Sequence, residues 1–138
     1  MIRRTLISLA IAASAAVAFP ASASAQDAIY GVWRNPKNSV HIDIQKCGEY
    51  LCGRVVWANA HAREDARNGG TKELIGSQLL RNFQPGKGGA WKGKVFVPDL
   101  NVTVSGTAEL VDANTLRARG CVFAGIGCKS QNWKRVQG

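Results

Sequence analysis

The sequence predicts an all-β fold of eight short antiparallel strands. Three observations carry this expectation. Apolar residues recur with period two, Gly, Pro and Asn punctuate the chain at short intervals, and no long helical stripe appears after residue 25. Eight strands at this spacing suit an up-and-down barrel or a sandwich. Closure leaves no unpaired edge, and an eight-stranded barrel is just wide enough to be filled by its own side chains or to hold one small ligand.

Residues 1–25, MIRRTLISLAIAASAAVAFPASASA, precede the strands and read as a cleavable signal peptide. Arg3 and Arg4 form the basic region, Leu6 to Phe19 the apolar region, and Ala23-Ser24-Ala25 the small residues before a cut at Gln26. The apolar run of 14 residues is short of the roughly 20 that cross a bilayer, so no transmembrane anchor is expected. Thr5-Leu6 after the paired arginines is a poor match to twin-arginine export. What remains, residues 26–138, is one domain of 113 residues, expected in the periplasm or outside the cell. Its formal charge is +7, against +9 for the whole chain.

The expected strands are 29–34, 39–46, 52–58, 74–83, 90–97, 102–110, 115–122 and 130–136. The second has the clearest alternation, Val40, Ile42 and Ile44 against His41, Asp43 and Gln45. Val102 and Val104, then Leu116 and Ala118, repeat that pattern. Asn35-Pro36, Pro85-Gly86 and Asp112-Ala113-Asn114 supply turns. Residues 59–73, NAHAREDARNGGTKE, are the exception: polar, Ala-rich enough for a short helical turn, and the longest connection, hence the expected lid.

Four cysteines in a short exported domain point to disulfides and admit three pairings. Cys47–Cys52 and Cys121–Cys128 are favoured, because each pair flanks turn residues and a hairpin would bring opposed sulfurs within bridging distance. Bridges over such short loops contribute about 2 kcal/mol each and pin hairpins rather than the whole fold. A zinc site is disfavoured by the spacings CxxxxC and CxxxxxxC and by the distance of His41 and His61 from the second pair. No CxxC supports a redox role.

Gly31-Val32-Trp33 opens the first strand, and Trp133-Lys134-Arg135-Val136 closes the last. In a closed barrel these strands are neighbours, and an Arg guanidinium over the Trp33 ring would seal one end. Gly31, Trp33 and Arg135 resemble the G-x-W and late Arg of the calycin superfamily, which includes lipocalins. The chain more closely resembles a bacterial exported family, domain of unknown function 2147. The residues that carry this are Cys47-Gly48-Glu49-Tyr50-Leu51-Cys52-Gly53-Arg54; Asp65 and Asn68 in the long connection; Gly76, Leu79, Leu80 and Phe83; Trp91-Lys92-Gly93; and Arg119-Gly120-Cys121 through Cys128, Gln131, Trp133 and Arg135. The family's second Gly after W-x-G and its Tyr–Asx-Pro turn are replaced here by residues 94–102, KVFVPDLNV. The resemblance implies a lipocalin-like barrel and an envelope location, with no established activity.

The sequence bears on three classes of function. His61, Glu64 and Asp65, with His41 on a strand, are the groups that acid–base chemistry would use. The chain carries no nucleophile elbow, no HExxH and no phosphate-cradling glycine loop, so no catalytic residue, cofactor or metal is assigned. Charge is uneven: residues 113–138 carry +5 without an acid, 77–98 carry +4, and 99–112 carry −3. Lys92, Lys94, Arg117, Arg119 and Lys134 are the candidate contacts for an anionic envelope component. Export argues against a nucleic-acid partner, although basic and aromatic residues mix at Trp91-Lys92 and Trp133-Lys134-Arg135. An apolar interior is expected from Val40, Ile42, Ile44, Val55, Trp57, Val95, Val97, Val102 and Val104. Of these, Ile42, Ile44, Val55, Trp57, Val95, Val102 and Val104 are the candidate ligand-cavity residues. The reading is a non-enzymatic barrel for a small apolar or amphipathic ligand. The alternative is a filled barrel that acts through its basic surface on anionic lipid, polysaccharide or a protein.

Overall fold

The computed structural model describes residues 12–17, 27–123 and 126–137. Apart from residues 12–17, the expected signal peptide lies outside the described residues, as does part of the turn at 124–125. Eight antiparallel strands close in sequential order: β1 (Gly31–Arg34), β2 (Val40–Cys47), β3 (Tyr50–Ala58), β4 (Gln78–Pro85), β5 (Trp91–Val97), β6 (Val102–Asp112), β7 (Thr115–Phe123) and β8 (Ile126–Gln137). A helix, α1 (Ala60–Asn68), joins β3 to β4. The sandwich alternative is not what forms, because β1 pairs with β8 through Trp33↔Arg135 and Arg34↔Lys134.

All eight expected strands form with shifted bounds; β3 and β8 begin two and four residues earlier than expected, β6 ends two later, and β1 and β4 begin later. Ile29 belongs to a 3-10 turn, Asp27–Ile29, that tucks its side chain into the core. Residues 74–77 precede β4 rather than open it. Gly76 there takes φ 90°, which turns the chain, and the Gly76 and Ser77 backbones pair with Val55. The long connection forms two and a half turns of helix, more than the short turn expected. Asn59 caps it by accepting from the Ala62 amide at 2.8 Å. Ala62 and Ala66, four apart, share the face that packs on the barrel, and Ala66 is fully buried.

The loops at 35–39, 59–77 and 98–101 and the β7–β8 turn gather at one end. The 3-10 turn and the loops at 48–49, 86–90 and 113–114 gather at the other, as up-and-down connectivity requires. This second end is packed solid. Trp33, Ile44, Leu51, Phe83 and Leu116 are fully enclosed there. Arg135 lies with its guanidinium carbon 4.2 Å from the centroid of the Trp33 ring. Its nitrogens also donate to the carbonyls of Tyr30 (2.8 Å), Ala113 (2.9 Å) and Ala28, while the indole Nε1 donates to the Ile29 carbonyl at 2.9 Å. One side chain therefore satisfies three loop carbonyls and covers the ring that plugs the barrel.

Across the middle of the barrel a lateral row of glycines, Gly93↔Gly106↔Gly120, faces inward from β5, β6 and β7. A Cβ on Gly93 would lie 2.5 Å from the Phe83 ring, and one on Gly106 would overlap Val95. Phe83 and Val95 thus lie across backbone where any larger residue would displace them.

Disulfides join Cys47 to Cys52 and Cys121 to Cys128. The second pair is directly opposed, as expected of a hairpin. The first is diagonal: Cys47 faces Tyr50 and Cys52 faces Gln45, and the bridge spans a Cα separation of 5.8 Å.

Arg135→Met is expected to lower stability by about 2–3 kcal/mol, since it removes the cation–π contact and leaves three carbonyls without their shared donor. Arg135→Lys should recover less than half of that, because an ammonium cannot fork to three acceptors. The urea unfolding midpoint measures both. A midpoint unchanged in Arg135→Met contradicts the role given to the clasp.

Candidate functional site

The loop-rich end is not packed solid. Within the barrel, chiefly between β4 and β8, lies an open chamber of about 380 Å³. Its walls are Ile42, Leu79, Leu80, Val95, Val97, Val104, Leu116 and Ala118, with Trp133 deeper and Leu100, Val102 and Val122 at the lip. These lip residues are exposed to solvent by 68%, 43% and 65%, so apolar surface runs unbroken from the outside into the barrel.

Four of the expected cavity residues, Ile42, Val95, Val102 and Val104, line this chamber. Three do not. Ile44 and Val55 are buried in the packed core and do not reach the chamber. Trp57 is on the outside, 42% exposed, with its ring 4.6 Å from that of His41. The reason is a register shift between His41 and Ile42, which breaks strict alternation along the β2–β3 pair.

The polar residues of the chamber were not foreseen. Gly120↔Lys129, Ala118↔Gln131 and Leu116↔Trp133 are paired, and Ala118, Leu116 and Trp133 face the core. Lys129 and Gln131 therefore share the inward face of β8, and both border the chamber. Trp133 is nearly buried, and its indole Nε1 donates to Gln131 Oε1 at 3.2 Å. The available signal was the two-residue spacing of Lys129, Gln131 and Trp133, once Trp133 is placed inside.

A second cavity of about 470 Å³ lies beneath α1, and Leu79, Val97, Gln131 and Trp133 are walls of both spaces. Its other walls are mostly polar, among them Asn35, Lys37, Ser39, His61, Asp65 and Asp99. The residues expected in a loop, Asp65 and Asn68, are on α1. The helix is fastened across this end at its C-terminal side. Gly69 approaches the Asp99 backbone so closely that a Cβ would overlap its carbonyl, and Thr71 Oγ1 donates to the Pro98 carbonyl at 2.8 Å. The expected lid is thus a strap tied to the β5–β6 turn.

His61 and Asp65 approach to 3.3 Å at the edge of the second cavity, but the imidazole is 82% exposed. His41 is elsewhere, hydrogen-bonded to Asn38 Oδ1 at 2.7 Å. The acid–base candidates are thus not brought together. Among the described residues no cluster of three or more His, Cys, Asp or Glu side chains converges.

The candidate anionic contacts spread over the outer face of β5 to β8. Lys92↔Thr107↔Arg119 forms one lateral row, and Arg119 also borders the chamber. The others have partners: Lys94 donates to Ser105 (3.1 Å), Lys134 to Thr115 (2.8 Å), and Arg117 faces Glu109 at 3.6 Å.

The model of a family described as an uncharacterized protein conserved in bacteria (DUF2147) matches residues 31–135. Among solved structures, the chain is similar to protein HP1028 from the human pathogen Helicobacter pylori, described as belonging to the lipocalin family. The TM-score is 0.58 at 13% identity, covering 79% of this chain and 83% of that one, a likeness of fold. No curated protein matches the chain.

Burial against neighbouring side chains, with the Arg34 charge adding to it, holds the His41 imidazole below its ordinary pKa. The folded chain therefore binds this proton at lower pH than the unfolded chain does. Stability rises with pH through the window just below the ordinary histidine value. An NMR titration of His41 should give a midpoint under that value, moving back up in Trp57→Ala. A midpoint at or above it contradicts the desolvated stack.

Proposed function

The chain belongs to the bacterial DUF2147 family, and from that premise we propose that it is an exported binding protein that holds a small apolar or amphipathic ligand inside its barrel. The observation that carries this reading is the open apolar chamber at the loop-rich end. A domain of this size has little core to spare, and at its other end Trp33, Ile44, Leu51 and Phe83 are fully buried. A void of about 380 Å³ lined by aliphatic side chains falls within the range of small-molecule sites. At ~30 Å³ per water-sized group it accepts about a dozen non-hydrogen atoms. A ligand of that size binds with a Kd on the order of micromolar.

Residues 1–25 act in this reading as a cleaved signal peptide, which places the mature domain in the periplasm or beyond it. Two disulfides and the lack, among the described residues, of a helix long and apolar enough to cross a membrane are compatible with that place. In this reading the domain binds rather than transforms its ligand, because the His61–Asp65 pair is exposed and borders the polar cavity beneath α1 rather than the chamber. The filled barrel acting through its basic face is disfavoured by the chamber and by the hydrogen-bonded or ion-paired state of Lys94, Arg117 and Lys134.

Titration with 1-aminonaphthalene, a neutral environment-sensitive fluorophore of suitable size, tests the reading. Saturable, blue-shifted emission is expected from the mature protein. Val104→Phe and Ala118→Leu fill the chamber and should each weaken binding at least tenfold while the far-UV spectrum is unchanged. No saturable emission, or equal binding by both variants, contradicts it.

A further inference from the structure

We infer that the chamber is built for an anionic, single-tailed amphipath, bound tail-first with its acid group at Lys129; the inference rests on the binding reading above and names the chemistry of its ligand. The inward row of β8 grades from charged to apolar with depth. Lys129 stands near the lip, Gln131 below it, and Trp133 lower still beside Leu116. At about 3.3 Å per residue, Lys129 and Trp133 are some 13 Å apart along the strand. That is the length of a short alkyl chain, with the cation at its outer end and the indole at its inner end.

Charge gives the sign of the head group. Among the described residues that line the chamber, the ionisable ones are Lys129, on the inward face of β8, and Arg119, on the outer face of β7, both cationic. The neighbouring cavity beneath α1 is mixed in sign, with Lys37 against Asp65 and Asp99. An acid group is thus favoured at the chamber lip and not on the other side of Trp133. Lys129 is exposed, so its ammonium is hydrated, and its partner across the strands is Gly120, over which Val104 packs as the apolar wall beside it. A carboxylate or a phosphate monoester would both satisfy this site, since each offers anionic oxygens to a cation beside an apolar slot. A cationic head would meet the like charge of Lys129 there.

Four probes with the same ten-carbon chain separate these terms: decanoate, decyl phosphate, decanol and decyltrimethylammonium, titrated calorimetrically into the mature protein. At low salt, decanoate or decyl phosphate should bind roughly fivefold tighter than decanol, an advantage that shrinks as salt is raised. The ammonium probe should bind weakest. Lys129→Gln should reduce the anion-to-decanol ratio to about one and leave decanol affinity unchanged. Lys134→Gln, on the outer face of the same strand, should leave the ratio as it was. A ratio unchanged in Lys129→Gln, or lost instead in Arg119→Gln, overturns the assignment to Lys129. Equal binding of all four probes overturns the anionic head but not the chamber. No binding by any of them overturns both.

Discussion

The contact between Arg135 and Trp33 is the constraint on which the rest of the barrel depends. An eight-stranded sheet closes only if its first and last strands pair, and here the first strand is just four residues long. So short a strand makes few ladder bonds, so β1 is held as much by its side chains as by its backbone. The guanidinium covers the indole and also ties the 3-10 turn and the β6–β7 turn to β8 through three carbonyls. Closure, the plugged end and the placement of the N-terminal segment are thus one event. Because this end is sealed by packing, the other is free to stay open.

The wall of the chamber includes residues that have no side chain. Gly93, Gly106 and Gly120 form a lateral row, and the side chains that cross it, Phe83 and Val95, come from neighbouring strands. On the side of β2 to β4 large side chains fill the barrel; along β5 to β7 valines, glycines and Ala118 leave the chamber. The strap α1 crosses one side of the opening and is tied to the β5–β6 turn, so the remaining mouth is framed by Leu100, Val102 and Val122. The Cys121–Cys128 bridge fixes the β7–β8 hairpin beside that mouth. These features locate a site without requiring any residue to perform chemistry.

Much of the architecture was legible in the sequence, and for identifiable reasons. Strong alternation, as in Val40 to Gln45, has one structural solution, and Gly, Pro and Asn mark the turns with little ambiguity. The pairing of first and last strands followed from the placing of Trp33 and Arg135 at opposite ends of the chain. What was missed follows from physics that sequence patterns do not display. Trp57 was read as internal because alternation was carried through a bulge, whereas one extra residue reverses the faces. Lys129 and Gln131 were not read as internal because an inward strand face is expected to be apolar, a rule that an open mouth relaxes. The glycine row depends on cross-strand register, which one strand cannot reveal. The helix was underestimated because its buried face consists only of Ala62 and Ala66, whose small side chains give a weak periodic signal.

The claim at the centre of this account is that the open half of the barrel is an occupied binding site. Native mass spectrometry of the protein, purified without detergent from the bacterium that produces it, tests that claim most directly. The expected result is a bound species of about a dozen non-hydrogen atoms, present on the wild-type protein and absent from the Val104→Phe variant prepared in the same way. A bare polypeptide mass in both preparations, or the same adduct on both, would contradict it.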